Sequence, residues 1–119
     1  MPRCIAALAG LFVASLVAAP QASAGSYSAT HIYWTGTPCI MMYTAADYNP
    51  QALTARVICG GTYTWTESNI WPGDYFGANP EIGRATYLEC GVFLNGVRVW
   101  SAAAFNGDGS DVDCLRIKL

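Results

Sequence analysis

Met1-Pro2-Arg3 sets one cationic side chain beside the N-terminal amine, and Cys4 to Ala19 then runs 16 residues without a charge. Pro20-Gln21-Ala22-Ser23-Ala24 follows and ends in the small-x-small pattern at which secretory leaders are cut. No other segment constrains the chain as much, because this one fixes the compartment in which the rest must fold. A retained membrane anchor is the competing reading, yet the run is shorter than the roughly 18–20 apolar residues that span a bilayer. Cleavage is expected after Ala24, so residues 1–24 form a signal peptide and residues 25–119 one exported domain of about 95 residues. The product is then secreted or associated with the cell envelope.

Removing the leader changes what the composition means. The whole chain is 53% hydrophobic and 12% charged, too apolar for a disordered tail. Five basic residues remain after Ala24 (Arg56, Arg84, Arg98, Arg116, Lys118) against eight acidic ones, a net charge of −3. That balance argues against a nucleic-acid partner, which requires a basic footprint. Four of the five cysteines also remain: Cys39, Cys59, Cys90 and Cys114. An even number in a small exported chain reads as two disulfides, with three connectivities open. Nearest-neighbour pairing closes loops of about 20 and 24 residues, each worth about 3 kcal/mol in the chain-entropy model. Structural zinc fits poorly, since its ligands come in close pairs and no two of these cysteines are closer than 20 residues.

No helical period of useful length follows residue 25. Short β-rich segments recur instead, punctuated by Gly, Pro, Asn and Asp. Thr30–Thr35 and Ile40–Thr44 read as two early strands, and Ala55–Cys59 and Thr62–Thr66 as the next pair around Gly60-Gly61. Asn69–Asp74 and Gly77–Glu81 read as turn chemistry around little regular structure. Arg84–Leu94 and Val97–Ala103 flank Asn95-Gly96, the strongest short-range hairpin signal available. A two-residue turn there pairs Leu94 with Val97, Val92 with Val99 and Cys90 with Ser101. Leu88, Cys90, Val92 and Leu94 then share the core face with Val97 and Val99. The opposite face pairs Phe93 with Arg98, a candidate cation–π contact, and Gly91 with Trp100. Tyr87, Phe93, Arg98 and Trp100 form the candidate interaction face.

The last strand, Asp113–Leu119, carries a conflict. Leu115, Ile117 and Leu119 alternate with Cys114, which sets that cysteine out of phase with the apolar face. Either a bulge sits near Cys114 or its disulfide lies at the rim. Strands of this spacing without helices indicate a small antiparallel β-sandwich, with disulfides supporting a core this size.

Chemistry-bearing residues are few. The single histidine, His31, lies in an apolar strand with no nucleophile motif in the chain, and the paired cysteines remove a Cys–His site. The acids are mostly in turns, with no evident convergence of two carboxylates. No catalytic constellation and no cofactor site is expected. Asn106–Asp113 offers the oxygen ligands that calcium prefers, but Asp111 stands where an EF-hand loop needs glycine and no glutamate closes it. Four tryptophans and seven tyrosines read first as core, and otherwise as the lining of an apolar pocket for a lipid-like ligand.

Tyr33-Trp-Thr-Gly36, Ile40-Met-Met-Tyr43, Tyr63-Thr-Trp-Thr66 and above all Cys90-Gly-Val-Phe-Leu-Asn-Gly-Val97 with Cys114-Leu115 carry a resemblance. The chain resembles the periplasmic domain of the mycobacterial membrane protein small family, MmpS, which accompanies RND-type lipid and siderophore exporters. The resemblance covers most of residues 29–119, and its specific part is the last third. It implies an immunoglobulin-like β-sandwich, a Cys90–Cys114 disulfide, and a non-enzymatic accessory role with an envelope lipid or RND-type transporter as partner. The chain departs from the family in three ways. A cleavable leader replaces the anchor, Cys39 and Cys59 have no counterpart, and Thr64 stands where a proline is expected. A freely secreted interaction protein, such as an inhibitor or a host-surface ligand, is the alternative.

Overall fold

The computed structural model describes residues 25–119; the expected signal peptide, residues 1–24, lies outside them. Nine strands follow in chain order: β1 (Ser26–Thr35), β2 (Cys39–Ala46), β3 (Asn49–Cys59), β4 (Thr62–Ile70), β5 (Tyr75–Phe76), β6 (Asn79–Glu81), β7 (Tyr87–Leu94), β8 (Val97–Phe105) and β9 (Arg116–Ile117). The described residues contain no helix, and every strand pairing is antiparallel. One sheet has the order β4-β1-β7-β8, a second β3-β2-β6, and β5 with β9 makes a small third ladder. Four strands against three is the layer split of an immunoglobulin-like sandwich, as the resemblance implies, with a strand order of its own.

That order follows from two corners. Gly36-Thr37-Pro38 carries the chain from the four-stranded sheet to the three-stranded one, and Gly60-Gly61 carries it back. The corners lie against each other: the Trp34 N–H donates to the Gly61 carbonyl and the Gly60 N–H to the Pro38 carbonyl, both at 2.9 Å. β3 and β4 are therefore not a hairpin, although only two glycines separate them. β3 is held to β2 from Cys39 opposite Cys59 to Ala45 opposite Leu53, so β4 turns away and pairs with β1 instead.

Alternation along β1 shows how the layers are sorted. Ser28, Thr30, Ile32 and Trp34 are buried, while Tyr27, His31 and Tyr33 are exposed. Ile32, Trp34, Leu88 and Val92 of the larger sheet meet Ile40, Met42 and Ile58 of the smaller in one core. Each such side chain contributes about 1.5–3 kcal/mol by leaving water. The Trp34 indole N–H is not stranded there, since it donates to the Thr37 carbonyl at 2.9 Å.

The disulfides pair nearest neighbours, Cys39 with Cys59 and Cys90 with Cys114. Two disulfides place the folded chain in an oxidising, extracellular-type environment. The second one corrects the reading of the C-terminus. Val112 and Cys114 are the buried residues, whereas Ile117 and Leu119 point outward, so the alternating apolar residues are not the core face. Regular pairing is confined to Arg116 opposite Phe76 and Ile117 opposite Tyr75. Backbone contact sets this phase: the Cys114 N–H donates to the Ala78 carbonyl at 3.0 Å, and the Cys114 carbonyl lies where a side chain on Gly77 would stand. Gly77, at φ +89°, is the residue that lets the tail close.

Candidate recognition face

The β7–β8 hairpin turns at Asn95 and Gly96, with φ of 52° and 84°, and keeps the expected pairs Leu94–Val97 and Phe93–Arg98. A β-bulge then adds Val99 to β8, and every later pair shifts by one: Val92 faces Trp100, Gly91 faces Ser101 and Cys90 faces Ala102. The shift moves Trp100 to the other side of the sheet. It cannot share a surface with Phe93 and Arg98, and the expected Gly91–Trp100 pair does not form. Trp100 instead carries the Arg116 guanidinium at 4.2 Å from its ring centroid. Phe93 and Arg98 lie side by side without a cation–π contact, and Phe93 packs T-shaped against the His31 ring at 5.4 Å between centroids.

Tyr87, Phe93 and Arg98 do share the outer face of the four-stranded sheet. Strand register builds this face in rows across β1, β7 and β8. The rows run Thr35–Tyr87–Phe105, Tyr33–Glu89–Ala103, His31–Gly91–Ser101 and Ala29–Phe93–Arg98. Beyond β1, Thr62, Thr64 and Thr66 of β4 extend them to the sheet edge. The third row has almost no side chain at its centre. Gly91, Ser101 and Ala103 therefore form the floor of an open trough of about 580 Å³, with Phe93 and Arg98 on one side and Glu89 on the other. Tyr87 is wedged between aromatic neighbours, its ring 4.8 Å from that of Phe105 and 6.2 Å from that of Tyr33. Its hydroxyl donates to Glu89 Oε1 at 2.7 Å, and that bond to a carboxylate raises the Tyr87 pKa above its ordinary value, so the hydroxyl stays a donor.

His31, Tyr33 and Phe105 belong to this face but are not singled out by the sequence. In Thr30-His-Ile-Tyr-Trp-Thr35 both strand faces are bulky, so alternation carries no contrast to separate them. The His31 Nδ1 lies 3.2 Å from Thr64 Oγ1, and no carboxylate among the described residues hydrogen-bonds to the ring. Two acids of the Asn106–Asp113 segment serve local backbone groups. Asp108 accepts from the Phe105 and Ser110 N–H groups, which lowers its pKa, and Asp113 accepts from the Leu115 N–H. Among the described residues no three His, Cys, Asp or Glu side chains are grouped to hold a metal ion.

Behind the face, on the inner side of β1 and β4, the lining is polar. Glu67 accepts from Ser28 Oγ at 3.1 Å and from the Gly77 N–H at 2.8 Å, while burial outweighs both and raises its pKa. Arg56 lies over the Trp65 ring at 4.3 Å and forms, with Asp47, the one ion pair among the described residues. No helix among the described residues is long and apolar enough to cross a membrane. The chain matches no family model, no curated protein and no solved structure.

Proposed function

We propose that this chain is an exported, non-enzymatic binding module of the cell envelope, acting in the manner of the MmpS accessories of RND-type exporters. The observation that carries the reading is the uncovered outer face of the four-stranded sheet. Tyr33, Tyr87, Phe93 and Phe105 stand on it around a floor of small residues, with Arg98 and Glu89 supplying charges of both signs. Rigid aromatic side chains with a few polar anchors are the composition of protein recognition surfaces. The module's leader directs export, and its disulfides suit the compartment that results. A non-enzymatic role agrees with the surroundings of His31, an exposed ring between Thr64 and Phe93.

A photo-crosslinking residue placed at Phe93 tests this in intact cells. The expected result is an envelope-fraction adduct with a transporter subunit, lost on Tyr87→Ser because that removes an aromatic anchor of the same face. Recovery of all the protein from culture medium, without an envelope adduct, overturns the accessory reading in favour of a freely secreted interaction protein.

A further inference from the structure

The C-terminal edge of the sandwich presents a second surface with different chemistry. β8 leaves the hairpin with Val97 and Val99 exposed, and the bulge turns Trp100 toward β9. The result is an open groove of about 710 Å³ with Phe76 and Leu94 in its floor, Val99 and Trp100 along one wall, and Ile117 and Leu119 along the other. Trp100 is 48% and Ile117 54% exposed, although both are large and apolar. The volume falls within the roughly 300–1,000 Å³ of small-molecule sites.

Charge selects the occupant. The residues lining the groove include Arg116 and Lys118 and no acidic side chain, in a domain with five basic and eight acidic residues, and the Lys118 ammonium donates to the Leu119 main-chain oxygen at 2.9 Å. Arg116 is held in place by its stack on Trp100 and by bonds to the Leu115 and Asp113 carbonyls, each at 3.0 Å. Those acceptors are neutral, so its positive charge is not cancelled. A second copy docking through the groove would bring Arg116 and Lys118 of the two chains together, which like-charge repulsion opposes.

We propose that this groove binds the chain of an anionic single-chain amphiphile, a fatty-acid-type carboxylate. The alkyl chain lies along Leu94, Val99, Trp100 and Ile117, and the headgroup faces Arg116 and Lys118. Each methylene removed from water adds about 0.8 kcal/mol, so a medium-length chain has enough apolar contact for measurable binding. The site uses residues separate from the outer face, so its failure and that of the export-accessory reading are independent results.

The test is titration of the protein with 11-(dansylamino)undecanoate below its micelle concentration, with displacement by dodecanoate. Saturable one-to-one binding is expected. Ile117→Ser and Trp100→Ser each weaken it about tenfold, a loss of roughly two buried methylenes. Lys118→Gln weakens dodecanoate by up to about fivefold, as for an exposed ion pair, and leaves dodecanol displacement unchanged. Ile117 is exposed, so its serine variant keeps the fold, checked by intact disulfides and an unchanged near-ultraviolet dichroism spectrum. No saturable binding, or unchanged affinity in both groove variants, overturns the proposal. So does recruitment to anionic phosphatidylglycerol vesicles without monomer binding, which marks a membrane surface. A dimer that Ile117→Ser dissociates also overturns it, in favour of a second copy.

Discussion

Cys39–Cys59 and Cys90–Cys114 span 20 and 24 residues, so loop closure alone assigns them nearly the same effect, about 3 kcal/mol each. Their surroundings differ. Cys39 and Cys59 face each other across the β2–β3 ladder with Cα atoms 4.0 Å apart, and both are exposed. The ladder on its own already holds that loop closed. Cys90 sits mid-strand in β7, and Cys114 lies in a segment whose regular pairing is two residues long. Both are buried. Here the sulfur bridge is the main restraint, and it holds Gly77 and Cys114 in contact as well. Loop length therefore says less about a disulfide than what would keep the two ends together without it.

Removing each bridge tests that difference. Cys90→Ala with Cys114→Ala is expected to cost about 4–5 kcal/mol, loop entropy together with lost packing in a filled core. Against a total of about 5–15 kcal/mol this leaves a marginal fold. Denaturant unfolding measures it, and dansyl-probe binding in the groove should fall with it, since Arg116–Leu119 lose their tether. Cys39→Ser with Cys59→Ser is expected to cost about 2 kcal/mol, at the low end for a native bridge. It should leave the groove unaffected. Equal losses in the two double variants would return the argument to loop length.

The same contrast explains how much of the fold is legible in the sequence. Asn95-Gly96 announced its turn, and the pairs beside it followed, because turn type fixes register locally. After Val99 the strand reads Trp-Ser-Ala-Ala-Ala, which has no polar–apolar alternation to hold a phase, so the bulge leaves no trace in the sequence and an unbroken register puts Trp100 on the wrong face. The signal for the recognition face was partial for the same reason: Tyr87 and Phe93 stood out against buried neighbours in β7, while His31 and Tyr33 in β1 did not. At the C-terminus the alternation of Leu115, Ile117 and Leu119 was clear and misleading. A covalent bond and the close approach of Gly77 decide the phase there, and hydropathy records neither. Gly60-Gly61 likewise stands between two strands that read as a pair, because adjacency in sequence carries no record that β3 is already paired with β2.

The smallest expected effect sharpens the picture of the second junction. Gly77 meets Cys114 on one side and donates its N–H to Glu67 Oε1 on the other, so Glu67 and the Cys90–Cys114 bridge hold the same segment. Burial raises the Glu67 pKa above its ordinary 4.5, against the opposing pull of the Gly77 and Ser28 hydrogen bonds. A carboxyl whose folded pKa is raised binds its proton more tightly in the native state. Its contribution is then fully present below the unfolded pKa and is lost as pH rises through the folded value. Glu67→Gln keeps an oxygen for the Gly77 and Ser28 donors and carries no charge to bury. Relative to wild type, the glutamine variant should gain stability as pH rises from 4.5 toward neutrality, read as a growing difference in denaturation midpoint. Other acids titrate equally in both proteins and cancel. A difference that grows toward low pH instead would mean that the hydrogen bonds, not burial, set the energy of this carboxylate.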